Sequence, residues 1–207
     1  MKWKTIGQGL LAVTACLGMG LGITSCSPSQ TIDYVFVTSN AAGSTNGEIS
    51  SYHVDSESGA LSLVAGSPYP DPGSNPVALV ASPNQQYLYV ANHDSSDIAM
   101  FTIGNSGQLV AGKSFATPGS EPVSLAMNST GTLLFVLDYY APGFNDTTPG
   151  PGALVVYPIN ADGSLGTPVA SAGLSYSTVQ CFPGGVALTP DGNYAYVSNT
   201  NAVIVTT

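Results

Sequence analysis

Arginine is absent from this sequence, and its three lysines are Lys2, Lys4 and Lys113. Charged residues make up only 7 % of its 207 residues, against roughly a quarter in an ordinary soluble protein. A phosphate backbone is gripped by several cations at once, so this scarcity excludes nucleic-acid binding and a basic membrane-surface patch. All twelve acids lie beyond Cys26, where Lys113 is the one basic residue. The surface of that part must therefore be Ser, Thr, Asn, Gly and Gln. Histidine is limited to His53 and His93, too far apart for a zinc-ligand pair, and no Asp-x-Asp-x-Asp-Gly loop is present for calcium. The sequence predicts no metal and no cofactor.

Cysteine is almost as scarce, with Cys16, Cys26 and Cys181. The first 25 residues read as an export segment: Lys2 and Lys4, an apolar Gly- and Leu-rich stretch over 10–23, then a polar turn at Ser27. The stretch ends Ile23-Thr24-Ser25-Cys26, which resembles the lipobox of bacterial lipoproteins. That resemblance implies an acylated Cys26 and a membrane partner reached through the N-terminal lipid. Val13-Thr14-Ala15-Cys16 fits the same pattern, and an uncleaved anchor is a further alternative; Cys26 is preferred because the apolar stretch then precedes cleavage. Only Cys181 then remains as a thiol, so no disulfide framework is expected, and with no base or cation near it in sequence it reads as a packing residue. The expected organisation is a signal peptide over 1–25, a linker over 26–32 and one repetitive domain over 33–207.

What the sequence does contain is a repeat. Pro76, Pro122 and Pro183 each open a short apolar run, and eleven residues later a β-rich segment begins at Tyr87, Leu133 and Tyr194; Tyr34 begins a fourth without such a proline. An aromatic follows two residues on at Phe36, Tyr89, Phe135 and Tyr196, and then comes a valine. A second alternating run lies at 49–54, 98–103, 154–159 and 202–207, and Gly-x-Leu turn exits follow the first three at 59–61, 107–109 and 163–165. Alternation with hairpin turns is strand chemistry, and four strands per period of about 45–60 residues indicates propeller blades. Naming the strands A to D, the chain reads B-C-D, A-B-C-D twice, then A-B-C. The expected fold is all-β, a β-propeller of about 3.5 four-stranded antiparallel blades. The missing closing strand predicts the N-terminal part of a longer ring.

The segments Tyr87-Leu88-Tyr89-Val90-Ala91-Asn92 and Thr189-Pro190-Asp191-Gly192, with the Gly-x-Leu exits, resemble the seven-bladed β-propellers of the lactonase family and the related Tyr-Val-Thr-Asn repeat propellers. The resemblance covers about residues 32–207 and implies a lactone hydrolase. The family includes 6-phosphogluconolactone hydrolases, but a phosphorylated sugar calls for Arg or Lys and the exported part offers Lys113 alone, so an unphosphorylated lactone is the better expectation. The alternative is a non-catalytic module that binds a glycan, peptide or protein.

Strand direction sorts the loops. A–B and C–D turns are short and share one end, whereas the B–C and D-to-A connections at the other end are long: 40–47, 67–75, 138–152 and 172–183. Long loops on a rigid scaffold are where binding lives. That end also carries Asp71, His93, Asp94, Asp97, Glu121, Asp138, Tyr139, Tyr140 and Asp146. Carboxylates and imidazole serve as bases toward water, and tyrosine donates to an oxyanion or stacks on a sugar. Asp138, Tyr139 and Tyr140, at a strand end beside the longest loop, are the expected catalytic residues; His93, Asp94, Asp97, Glu121 and Asp146 are the expected binding residues. The bland alternatives are solvated loop carboxylates and a turn residue at His93. His53 sits in a strand, and the glycosylation tripeptides at Asn128 and Asn145 carry little meaning behind a bacterial lipobox.

Overall fold

A computed structural model describes residues 31–174 and 181–201. The export segment, Cys26 and the expected strand over 202–207 lie outside the described residues. Among the described residues every regular element is a strand, and no helix is long and apolar enough to cross a membrane. β1 (Thr31–Asn40), β2 (Asn46–Asp55), β3 (Leu61–Leu63) and β4 (Tyr69–Ser74) form the first sheet. β5 (Pro76–Ala81), β6 (Tyr87–Asn92), β7 (Asp97–Ile103) and β8 (Leu109–Ala116) form the second, in plain meander order. The third repeats that order with β9 (Ser120–Met127), β10 (Leu133–Tyr140), β11 (Ala153–Pro158) and β12 (Ala170–Gly173); β13 (Cys181–Leu188) and β14 (Ala195–Asn201) pair as the start of a fourth. All pairings are antiparallel. The sheets are propeller blades.

The first blade departs from the expected pattern. The segment 67–75, expected as a long loop, contains β4, which pairs with β2 from Ile49↔Tyr69 to Asn46↔Ser74. β3 covers the other end of β2 at Tyr52↔Leu63 and Val54↔Leu61, so one outer strand has been cut into two pieces. Pro68, Pro70 and Pro72 explain the cut, because proline supplies no N–H to a ladder. At the break the side chain takes over: Ser67 Oγ accepts the Ser51 N–H at 2.9 Å.

Period-two alternation makes each central strand serve two neighbours. Tyr89 and Ala91 of β6 pack toward the third blade with Leu134, Val136, Val155 and Tyr157. Leu88 and Val90, one residue out of phase, pack toward the first blade with Ile49, Phe101 and Phe36. The second blade is therefore buried on both faces, and burying one side chain such as Phe101 contributes about 1.5–3 kcal/mol. A tyrosine latches each of these junctions at the short-turn end. Tyr34 lies over Gly107 and its hydroxyl donates to the Asn105 carbonyl at 3.0 Å; Tyr89 donates to the Gly163 carbonyl at 2.6 Å.

The repeated prolines set the other end. In the first strands of the second, third and fourth blades Pro76 faces Asn92, Pro122 faces Asp138 and Pro183 faces Asn199, and in all three the register slips immediately afterwards. A proline leaves its partner without a ladder donor, and the bulge turns that partner's side chain into the space between strand and incoming connection. One side-chain oxygen each of Asn92, Asp138 and Asn199 is buried there without a protein partner.

Candidate functional site

The turn from β6 to β7, residues 93–96, is clamped between the connections that enter the second and third blades. On one side His93 N–H donates to the Asn75 carbonyl at 3.0 Å and Asp94 N–H to the Ser74 carbonyl at 3.2 Å. On the other, Thr117 N–H donates to the Ser96 carbonyl at 3.1 Å and Glu121 N–H to Ser96 Oγ at 3.0 Å. Asn75 and Glu121 occupy the same place in the two connections, and both sit in the left-handed region, at φ of 55° and 56°. That backbone is natural for Asn and uncomfortable for Glu.

This clamp assembles the chemistry. His93 Nδ1 lies 2.7 Å from Asp94 Oδ1, and its Nε2 lies 3.6 Å from Glu121 Oε2. Asp94 is further held by the Asn75 amide at 3.0 Å, and the Asn75 and His93 hydrogen bonds keep its carboxyl below the usual range. Glu121 goes the other way: burial raises it, and Asp146 raises it further against the opposing pull of His93. The loop after β10 brings Asp146 back over Tyr140, whose hydroxyl donates to Asp146 Oδ1 at 3.1 Å. Burial and that carboxylate push the Tyr140 phenol up to about 12. Tyr139 meets Tyr140 edge-on with ring centroids 4.9 Å apart and Phe182 at 5.5 Å. Burial raises Tyr139, with Glu121 and Asp146 adding to it, and the same two acids act on Tyr140.

His93, Asp94, Glu121, Tyr139, Tyr140 and Asp146 thus come together. Asp138 and Asp97 do not join them as expected. Asp138 is fully buried within β10 rather than solvated at a loop, and Oδ2 accepts the Gly119 N–H at 3.2 Å. Burial lifts its carboxyl to about 7, opposed by the Gly119 and Thr117 hydrogen bonds. A carboxylate sealed in this way ties the backbone of the incoming connection to β10. Asp97 begins β7 and accepts from Ser95 Oγ at 2.5 Å, beside buried Asp71. Cys181 begins β13, and its side chain lies outside what is described. His53 lies 5.5 Å from the Tyr34 ring, in the first blade. Lys113 is exposed on β8. No group of three or more His, Cys, Asp or Glu among the described residues is arranged to hold a metal.

Clefts are found at the opposite end. One of about 580 Å³ lies between the first two blades, lined by Tyr34, Phe36, Ser82, Asn84, Gln86 and Asn105 among others. A smaller one of about 190 Å³ repeats it between the second and third. Amides and hydroxyls dominate the linings of both, with Asp33 the one carboxylate and no histidine. Sequence reasoning missed Asn75, Asn92, Ser96, Thr117 and Gly119. The signal was present: Pro-Gly-Ser-Asn-Pro-Val at 72–77 returns as Pro-Gly-Ser-Glu-Pro-Val at 118–123.

Comparison with known proteins agrees with the architecture. The family model described as lactonase, 7-bladed β-propeller, matches residues 34–180. The periplasmic gluconolactonase of Pseudomonas aeruginosa superposes with a TM-score of 0.62 at 24 % identity, over 79 % of this chain and 46 % of that one. A candidate 6-phosphogluconolactonase of Bacteroides uniformis gives 0.64 at 18 % identity, over 80 % and 47 %. Another, of Bacteroides fragilis, gives 0.61 at 19 %, over 84 % and 47 %. The chain spans about half the length of these structures. No curated protein matches it significantly by sequence.

Proposed function

Because the chain belongs to the lactonase family of seven-bladed β-propellers, we propose that it serves hydrolysis of an unphosphorylated lactone, in an exported protein anchored through a lipid on Cys26. The observation that carries this reading is His93 set between two carboxylates. Asp94 fixes one ring nitrogen, as an orienting acid does for a catalytic imidazole, and leaves Nε2 turned toward Glu121. With Asp94 accepting from Nδ1–H, Nε2 is the free base: it takes a proton from water as the water oxygen bonds to the ring carbonyl carbon, Glu121 lies beside the imidazolium that results, and the proton passes to the ring oxygen as its bond to that carbon breaks. Tyr139 and Phe182, both half-buried, offer aromatic surface to a sugar ring, and buried Tyr140 backs Tyr139 edge-on. The acidic surroundings repel a phosphate, and within residues 27–207 Lys113 is the one cation that could meet it.

The test is hydrolysis by the purified protein, followed by proton release with unphosphorylated and phosphorylated gluconolactones. Turnover above buffer is expected with the first and not with the second, and His93→Gln is expected to lower it by about 10²–10⁴-fold. Turnover unchanged in that variant would remove His93 from the chemistry. The second reading is a module that holds a glycan, peptide or protein without reacting, and the adjacent, half-buried rings of Tyr139 and Phe182 favour it. Absence of any hydrolysis, with retained glycan binding, would select it.

A further inference from the structure

The repeat delivers two side chains per blade to the long-loop end. One lies four residues beyond the repeat aromatic: Asn40, His93 and Tyr139 follow Phe36, Tyr89 and Phe135. The other stands immediately before the opening proline: Asn75, Glu121 and Phe182. At three successive junctions the first kind meets the second kind of the next blade. The Asn40 amide donates to Asn75 Oδ1 at 3.5 Å, His93 Nε2 lies 3.6 Å from Glu121 Oε2, and the Tyr139 and Phe182 rings are 5.5 Å apart. Asn75 also turns back to its own blade: Nδ2 donates to Asp94 Oδ1 at 3.0 Å, and its carbonyl accepts the His93 N–H at 3.0 Å. Backbone conformation alone does not call for this side chain, because at φ of 55° glycine would serve as well.

The bond to Asp94 decides a competition. A neutral imidazole carries one N–H, and His93 has an acid at each nitrogen, Asp94 Oδ1 at 2.7 Å from Nδ1 and Glu121 Oε2 at 3.6 Å from Nε2. Asp94 takes that proton because it stands within hydrogen-bond distance and Glu121 does not. Packing does not keep Asp94 there, since its side chain is 46 % exposed. An exposed carboxylate turns unless a donor holds it; the donor is the Asn75 amide, which does more than His93 to keep this carboxyl below the usual range. A carboxylate only accepts, so the amide nitrogen is the end that faces it. We propose that Asn75 is a positioning residue of the site: its amide fixes Asp94, Asp94 holds the proton on His93 Nδ1, and Nε2 is thereby left as the free base. The use made of Nε2 rests on the hydrolase reading, whereas the position of the proton is measured without substrate.

His53 and His93 are the two histidines of the chain, so nitrogen-15 spectra of the full chain in mild detergent, at about pH 9 where an imidazole is neutral, display one ring for each. The parent is expected to carry the His93 proton on Nδ1. Asn75→Gly keeps the left-handed backbone and removes the amide, so circular dichroism should stay that of the parent while the proton moves in large part to Nε2, the nitrogen facing Glu121. The His53 signals should not change. Asp94→Ala should move the proton equally, and adding Asn75→Gly to it should do nothing more, because Asn75 acts through that carboxylate. Lactone turnover by Asn75→Gly should fall about 10–100-fold in kcat with KM little changed, as for a displaced catalytic group. A parent with its proton on Nε2 would overturn the proposal before any variant is made. A folded Asn75→Gly protein that keeps the ring form of the parent would overturn it equally and leave Asn75 a turn residue, and so would a further shift when Asn75→Gly is added to Asp94→Ala. A parent that hydrolyses no lactone would count against the hydrolase reading alone, since the ring proton is read without turnover.

Discussion

The chain enters its second blade through Asp71-Pro72-Gly73-Ser74-Asn75-Pro76 and its third through Thr117-Pro118-Gly119-Ser120-Glu121-Pro122, and the two connections exchange their polar groups. In the second blade the carboxylate belongs to the connection: Asp71 accepts the Gly73 N–H at 3.0 Å and the Asn92 amide at 3.1 Å. In the third it belongs to the strand: Asp138 accepts the Gly119 N–H, and Thr117 provides the hydroxyl opposite. Each junction thus holds one buried carboxylate whose first duty is to a glycine N–H, and which strand it comes from is immaterial. Glu121 is different. Asn75 fills the same backbone position with the same left-handed φ, so the fold does not require an acid there. Asp71 and Asp138 hold the propeller together, whereas Glu121 faces His93 Nε2.

The largest structural effect should come from the glycines on which those carboxylates act. A Cβ at Gly119 would lie 2.2 Å from the Tyr140 carbonyl and 2.6 Å from Asp138 Oδ2; at Gly73 it would lie 2.0 Å from Asn92 Nδ2, and its three nearest atoms all belong to that side chain. Backbone cannot step aside, whereas an amide can rotate at the cost of its hydrogen bond. Gly119→Ala is therefore expected to destabilise by about 3 kcal/mol or more and Gly73→Ala by about 1–3 kcal/mol, read from urea midpoints. The reverse ranking would break the equivalence drawn between the two junctions.

Titration gives the next effect. The Asp138 carboxyl ordinarily ionises near 3.8 and is lifted by burial to about 7. Between these values the folded protein keeps a proton that the unfolded chain has released. Stability linked to this group is full below the lower value and is lost as pH rises through the upper one. Asn92 and Asn199 show that a neutral amide fits the equivalent place. Asp138→Asn should accordingly melt higher than the parent at pH 8, by an amount on the order of 2 kcal/mol, and no higher at pH 4. A shallower slope will remain, since burial raises Asp71 as well. Parent and variant curves that run parallel from pH 4 to pH 8 would show that Asp138 is charged in the folded state.

Much of this architecture was legible because strand periodicity is a local property. Tyr87 and Leu133 begin β6 and β10 as their spacing requires, and the Gly-x-Leu exits at 59–61 and 107–109 end where β3 and β8 start. The first blade was read less well, since the prolines around residue 70 look like a loop and act as a strand that needs few donors. At the site, sequence distance concealed depth. Asp138 stands beside a long loop in the sequence, but the bulge at Pro122 carries its side chain inward beneath Gly119. His93 looked like a turn residue and is one; what the sequence could not display is that Glu121, 28 positions later, reaches the far nitrogen of its ring.

The smallest effect is the most discriminating, because it has opposite signs in two measurements. Replacing Glu121 by Asn copies the residue that the second blade uses in the same left-handed conformation. The change relieves a backbone that Glu tolerates poorly and removes a carboxyl raised by burial and by Asp146. Glu121→Asn should therefore stabilise the protein by about 0.5–1 kcal/mol. The same substitution takes away the carboxylate 3.6 Å from His93 Nε2, so lactone turnover should fall while melting temperature rises. Strain kept at a position where the adjoining blade avoids it is expected only if the strained residue is used. A variant both less stable and fully active would mean that Glu121 belongs with Asp71 and Asp138, as a third latch of the propeller.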